Sequence, residues 1–239
     1  MNEMLKLIEE RHSVRVPFDQ SRPIAKGDLL QILEAARWAP TAHNMQNFEI
    51  VVVDDQKLLD KIGTIQFQPS EAFLRENFQV LSFSEEELRQ KKVGILGTMV
   101  PPSVRDPAQM EKGARASEAI SLHRLMPGCP ALLILLYDAR KRAPASEGDV
   151  LGMMSLGCVL ENMWLMAHLL GLGLQVMDVF SMPSVEPAVK DLLAIPPDMK
   201  IAIAARLGYP TVAPGHYLRV RREVEEFTHQ NRFGNRGLD

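Results

Sequence analysis

Two cysteines, Cys129 and Cys158, are all that 239 residues contain. No C-x-x-C is present, so neither a disulfide framework nor a thiol redox motif is available, and both read as free thiols of a reducing compartment. Charge of one sign is lacking too. Lys and Arg number 27 against 30 Asp and Glu, a net of -3. Such a balance argues against nucleic acid as a partner, because a phosphate backbone calls for a basic face. The start, "MNEMLKLIEERHSVR", carries acids early and no apolar signal block. The most apolar stretch, "LGMMSLGCVLENMWLMAHLLGLGLQVM", is broken by Glu161, Asn162 and His168, which suits a core helix better than a membrane span. The expected location is the cytoplasm, with no membrane partner. Neither G-x-x-x-x-G-K-[ST] nor G-x-S-x-G occurs, and Gly171 and Gly173 lack the third glycine and the downstream acid of a dinucleotide fingerprint. The six histidines are scattered without ligand spacing, so no metal is expected.

What the chain does have is alternating helical and strand patterning in one core. Residues 1 to 11 place Met4, Leu7 and Ile8 on one helical face. "KGDLLQILEAARWA" follows as an amphipathic helix with a Leu29, Leu30, Leu33, Ala36 stripe and Pro40 beyond its end. "FEIVVVDD" reads as a strand buried on both faces, and "QKLLDKIG" as a short helix. From about Gln66 to Met126 the texture changes to a helical excursion. It holds a capping box from Ser84 to Glu87, a three-proline loop "GTMVPPSVRDP" and a helical stretch "AQMEKGARASEAISLHRLM". "PALLILLYDA", "LQVMDVF" and "KIAIAARLGYP" are further strands, separated by the long apolar helix and by "SVEPAVKDLLAI". This order predicts an α+β or α/β sandwich, helices on both faces of a mixed sheet. The polar tail from about residue 216 has no core of its own. It is either disordered or laid across another subunit.

Three polar clusters could carry chemistry. In "RHSVR", Arg11 and Arg15 can offer two guanidinium forks to one anion, with Ser13 adding a hydroxyl. The same arginines also suit a helix C-terminus as counter-charges. Between the second helix and the first strand lies "PTAHNMQN", where Asn44 and Gln46 offer carboxamides that match a ligand edge alternating C=O and N–H. Asx-turn chemistry would equally account for them. In "YLRVRRE", an extended chain puts Arg219 and Arg221 on one face and Arg222 on the other, or leaves all three as a solvated basic stretch. Taken together, an arginine clamp and a carboxamide loop outline a mononucleotide-like ligand such as a flavin.

The chain resembles the FMN-dependent nitroreductase family. The resemblance is carried by "ERHSVRVPF", "ILEAARWAPTAHNMQNFEIVVV", "GLGLQVMDVF", "ARLGYP" and "LRVRREVEEFTH", in that order and over most of the chain. It implies one nitroreductase-like α+β domain over residues 1–239, with a helical lid at 66–126 that selects the substrate and a C-terminal arm at 216–239 exchanged in a homodimer. It implies FMN at the subunit interface, with Arg11, Ser13, Arg15, Arg219 and Arg221 matching the phosphate and ribityl contacts. Pro40, Thr41, Ala42, Asn44 and Gln46 match the flavin-ring loop, and Asp178 and Val179 match the backbone near flavin N5. The chain departs from the family pattern at His12, at Asn47-Phe48 and at the bulky Met177, Asp178 and Val179. The implied activity is ping-pong electron transfer from NAD(P)H to a flat acceptor such as a nitroaromatic or quinone, with the flavin rather than an acid–base dyad carrying the chemistry. Reductive removal of a substituent, O2-dependent chemistry under the charged lid, and a non-catalytic flavin-binding dimer are the alternatives.

Overall fold

Strand β6 (Ala131–Asp138) is where the apolar pattern has its full effect: all eight residues are buried. Period-2 alternation sends Leu132, Ile134 and Leu136 to one apolar cluster and Leu133, Leu135 and Tyr137 to another. A continuous apolar run is what a strand covered by helices on both faces requires. In this computed structural model, residues 2–76, 80–97, 119–142, 148–213 and 218–238 are described. They form two compact units, one of residues 1–67 and 120–214, the other of 68–119 and 215–239.

The first unit is built on a four-stranded sheet of order β1-β6-β8-β7, with β1 Phe48–Val53, β7 Gly173–Met177 and β8 Met199–Gly208. Its three pairings are antiparallel, with a register shift in β8 opposite Leu135/Leu136. Helices α2 (Lys26–Arg37) and α6 (Val150–Leu169) cover one face, and α3 (Gln56–Gly63) and α7 (Glu186–Leu193) the other. This is the α+β sandwich that the patterning predicts. The expectation for β1 needs correcting. Of its six residues only Val53 is fully buried, because the strand lies at an edge of the four rather than between two neighbours. Among the described residues α6 is the helix long and apolar enough to cross a membrane, yet Ser155, Leu156, Val159, Met163 and Ala167 form a stripe sealed against the core. Both cysteines are free, and burial pushes the Cys129 thiol from its usual 9.0 up to about 11.

Two expected stripes are only partly used. Helix α1 (Glu3–Glu10) buries nothing in this chain: Met4 and Ile8 are 58% and 42% exposed. On α2, Leu30 faces outward and Ile32 takes the buried place. Both corrections have one cause. A helical stripe shows which face is apolar, and the partner that covers it is set by the tertiary fold.

The second unit contains α4 (Glu71–Arg75), α5 (Glu85–Lys91) and the short parallel pair β3 (Ser82–Phe83) and β4 (Ile95–Leu96). The predicted capping box is present: the Ser84 hydroxyl accepts from Glu87 N–H and the Glu87 carboxylate accepts from Ser84 N–H. Most of the helical stretch expected over 108–126 lies outside the described residues. Its described end is not α-helix: β5 (Ile120–Ser121) pairs with β2 (Gln66–Phe67) and Leu122–Arg124 forms one 3-10 turn, both in the first unit. Beyond residue 217, a 3-10 turn at Val224–Glu226 and a bridge from His229 to Arg236 make up the regular structure.

Candidate functional site

The residues after α1 lie in a slot made by glycines. Gly173 and Gly208 face each other across the β7–β8 pair. A Cβ on either would come within 2.8 Å of the Phe18 ring, and one on Gly173 would also meet Val14 at 3.0 Å. Missing side chains therefore allow Val14 and Phe18 to lie directly on the sheet. Val14 N–H donates to Leu174 C=O at 3.0 Å, as a strand residue would. Val14 is buried, while Ser13 is half-buried and Arg15 exposed. An extended chain alternates its side chains, so burying Val14 places Ser13 and Arg15 together on the opposite face. Arg15 makes no ion pair among the described residues.

Arg11 is differently placed. It caps α1 with its N–H on Leu7 C=O, its Nε lies 3.0 Å from a Glu161 carboxylate oxygen, and its guanidinium stacks over Trp164 at 4.4 Å. The Trp164 indole N–H donates to His12 C=O at 3.2 Å. Helix α6 thus holds the chain on the N-terminal side of Ser13.

The same helix holds the carboxamide loop. Ser155, buried inside α6, accepts from Ala42 N–H at 3.1 Å and donates to Leu151 C=O at 2.8 Å. Thr41 closes the loop from inside: its hydroxyl accepts from Gln46 N–H and its C=O from Asn44 N–H. His43, Asn44 and Gln46 have φ of 52°, 52° and 45°, a left-handed backbone that only Gly adopts freely. Three such residues within four positions, none of them glycine, cost conformational energy that the surrounding bonds must offset. The outcome is that Pro40, Asn44 and Gln46 are exposed while Asn47 is buried. A Cβ on Gly152 would meet Asn47 and Tyr137 at 3.0 Å, so the loop is seated closely on the first turn of α6. Beside it the Tyr137 hydroxyl donates to Asp149 at 2.8 Å, and burial, reinforced by that carboxylate, raises the tyrosine pKa.

Asp178 and Val179 begin the 3-10 turn Asp178–Ser181 that leaves β7, with Asp178 exposed and Val179 buried. Arg219 and Arg221 belong to the second unit. There Leu218 and Val220 are half-buried and both arginines exposed, the alternation expected of an extended stretch. Arg221 Nη1 donates to Val220 C=O, and Arg222 lies 5.5 Å from the Phe227 ring.

In the first unit, then, α6 ties both clusters to one rigid element. Ser155 and Glu161 are six residues apart, about 9 Å along the helix axis and roughly 120° around it. Sequence reasoning did not single out Ser155, Glu161 or Trp164 as anchors. Their signal was present, as polar groups inside an apolar helix that must find partners when buried.

The profile of the nitroreductase family matches residues 8–209. The chain belongs to that family. A protein of Archaeoglobus fulgidus that bears the provisional name NADH dehydrogenase/NAD(P)H nitroreductase is 24% identical over 210 residues, covering 88% of this chain and 87% of its own. Among solved structures, an FMN-dependent nitroreductase of Clostridium difficile superposes with a TM-score of 0.59 at 16% identity, over 96% of this chain and 100% of that one. A nitroreductase of Bacteroides fragilis with bound FMN gives 0.58 at 22%, over 95% and 98%. At these identities the structural likeness establishes the fold, and the family profile places the chain among oxidoreductases.

Proposed function

We propose that this nitroreductase-family protein is an FMN-dependent NAD(P)H oxidoreductase acting on a flat acceptor such as a nitroaromatic or quinone. The observation that carries the proposal is the double anchorage on α6, which holds an arginine-bearing extended segment and a strained carboxamide loop within about 9 Å along one helix. A ligand with a phosphate at one end and a heterocycle at the other can span such a pair. The residues present fit it. Ser13, half-buried, and Arg15, exposed, share one face; among the described residues Arg15 makes no ion pair, and it offers a planar fork to phosphate oxygens. Arg11, its charge already shared with Glu161, takes the lesser part. Arg219 and Arg221 supply the other half of the clamp. The loop of Pro40, Thr41, Ala42, Asn44 and Gln46 holds the ring edge, its left-handed residues turning both carboxamides outward. Backbone N–H groups at Asp178 and Val179, at the start of the 3-10 turn after β7, would serve the reactive part of the ring.

When bound, FMN would supply the electron transfer, from NAD(P)H to the flavin and then from the flavin to the acceptor. The chain's own part is to orient the ring, to place donors where the reduced ring is anionic, and to hold the two substrates in turn against one face. We further propose a cytoplasmic homodimer. Met4, Leu5 and Ile8 of α1 and Val150, Met153 and Met154 of α6 are all exposed, apolar side chains that a partner subunit would cover. In that dimer the arm at 216–239 is exchanged, and residues 66–126 act as the lid.

Heat release of cofactor from purified protein, followed by mass measurement, tests the first proposal. FMN is expected; FAD, or no flavin after reconstitution, contradicts it. Anaerobic addition of NADH or NADPH should bleach the bound flavin, and an inert flavin would make the protein a binder rather than an enzyme. Sedimentation should give a dimer at micromolar concentration, and a stable folded monomer would contradict the interface.

A further inference from the structure

Arg206 is fully buried in β8. A charge so placed must be hydrogen-bonded on all sides, or it costs more than the fold can support. Its Nε donates to the Gln175 side-chain oxygen at 2.8 Å and its Nη1 to Pro127 C=O at 3.1 Å. Its Nη2 donates to Val14 C=O at 3.3 Å and to Val16 C=O at 2.9 Å, and the guanidinium lies 4.3 Å from the Phe18 ring. Val14 and Val16 flank Arg15. One nitrogen taking both carbonyls clamps the backbone on either side of Arg15, with Val14 turned inward and buried. The face left over is the one that carries Ser13 and Arg15.

We propose that Arg206 is a positioning residue for anion recognition: it reads the backbone on either side of Arg15 and thereby aims Ser13 and Arg15 at the phosphate of the bound mononucleotide. The inference rests on the FMN reading given above. Three features favour geometry over a general stabilising role. The planar fork meets acceptors from four separate places, Val14, Val16, Pro127 and Gln175, which a point-charge ammonium cannot match. Gly173 and Gly208 open the slot in which those carbonyls approach the sheet. Phe18 closes the slot over the guanidinium.

FMN and riboflavin, which differ by the phosphate, separate this role from loss of fold. Apo-protein is titrated with each by fluorescence quenching, with circular dichroism recorded for every variant. Wild type should prefer FMN strongly. Arg206→Lys keeps the charge and loses the fork. It should weaken FMN roughly tenfold or more while riboflavin changes less than about threefold. Gln175→Met removes only the acceptor that orients Nε. It should shift the same ratio in the same direction by a smaller factor, and it decides the matter if Arg206→Lys does not fold. A folded Arg206→Lys with the wild-type FMN-to-riboflavin ratio overturns the positioning role. So does equal loss of both ligands, or, where only Gln175→Met folds, an unchanged ratio in that variant. Wild type that binds FMN no better than riboflavin instead removes the phosphate clamp itself, a failure of the underlying reading.

Discussion

The segment 11–18 and the stretch 218–222 carry the two arginine clusters, and the first is tied to the fold far along the chain. The first is pinned over long sequence distances: Val14 to Leu174, His12 to Trp164, Val14 and Val16 to Arg206, Phe18 N–H to Pro127. In the second, Arg221 Nη1 donates to its neighbour Val220 C=O and Arg222 lies beside Phe227. The ion pair of Lys92 with Glu226, 2.5 Å long, joins the two chain segments of the second unit just beyond it. An anion bound as proposed would meet Arg15 on a segment that long-range hydrogen bonds already hold in place, at little entropic cost.

Gly128 (φ +65°) and Gly234 (φ +99°) both have left-handed backbone, but a Cβ on Gly128 would fall 2.0 Å from Phe18 C=O, whereas nothing lies within 4 Å of one on Gly234. Gly128→Ala should therefore cost roughly 3 kcal/mol or more, the left-handed penalty plus a clash with backbone that cannot move aside. Gly234→Ala should cost only about 1–2 kcal/mol, the conformational penalty alone. Denaturant unfolding of both measures the difference; equal losses would mean that segment 13–18 is no more constrained than the tail.

Ser155→Ala acts within the first unit. Ala42 N–H loses its acceptor, at a cost of about 1–2 kcal/mol. The change falls on the loop proposed to hold the ring and not on the segment proposed to hold the phosphate, so FMN and riboflavin should weaken alike. A selective loss of FMN would contradict the separate roles of loop and clamp. The smallest effect belongs to Ser84→Ala, which removes the capping box of α5. The melting temperature should fall by about 2–4 °C, with flavin affinity unchanged. Altered flavin binding in that variant would show that α5 takes part in the site.

The capping box of α5, the apolar core helix α6 and the buried run of β6 were legible because each is a local pattern with one physical solution. The edge position of β1 was not, since an apolar run does not state how many neighbours it has. Ile120–Ser121 looked helical in "ARASEAISLHRLM" and is a strand, because pairing with Gln66–Phe67, more than fifty residues away, overrides local propensity. At the candidate site the exposed side chains Arg15, Asn44 and Gln46 stood out as unexplained polarity. The residues that hold them, Ser155, Glu161 and Arg206, did not, because their partners are about 110 to 190 residues distant in the chain. A lone arginine in the apolar strand "KIAIAARLG" was the clue available: a charge there must be satisfied by something the sequence does not place next to it.

Titration of apo-protein with FMN, for Arg15→Ala, Arg221→Ala and the double variant, tests most directly that both halves grip one phosphate. Each single change should weaken binding roughly tenfold to a hundredfold, the worth of a charge-assisted bond. The double variant should lose clearly less than the product of the two, since groups sharing a partner couple while independent sites add within about 0.5 kcal/mol. Arg222→Ala, beside Phe227, should bind as wild type does. Losses that multiply would place the arginines on separate ligands or separate parts of one, and unchanged affinity in both single variants would return them to solvated surface.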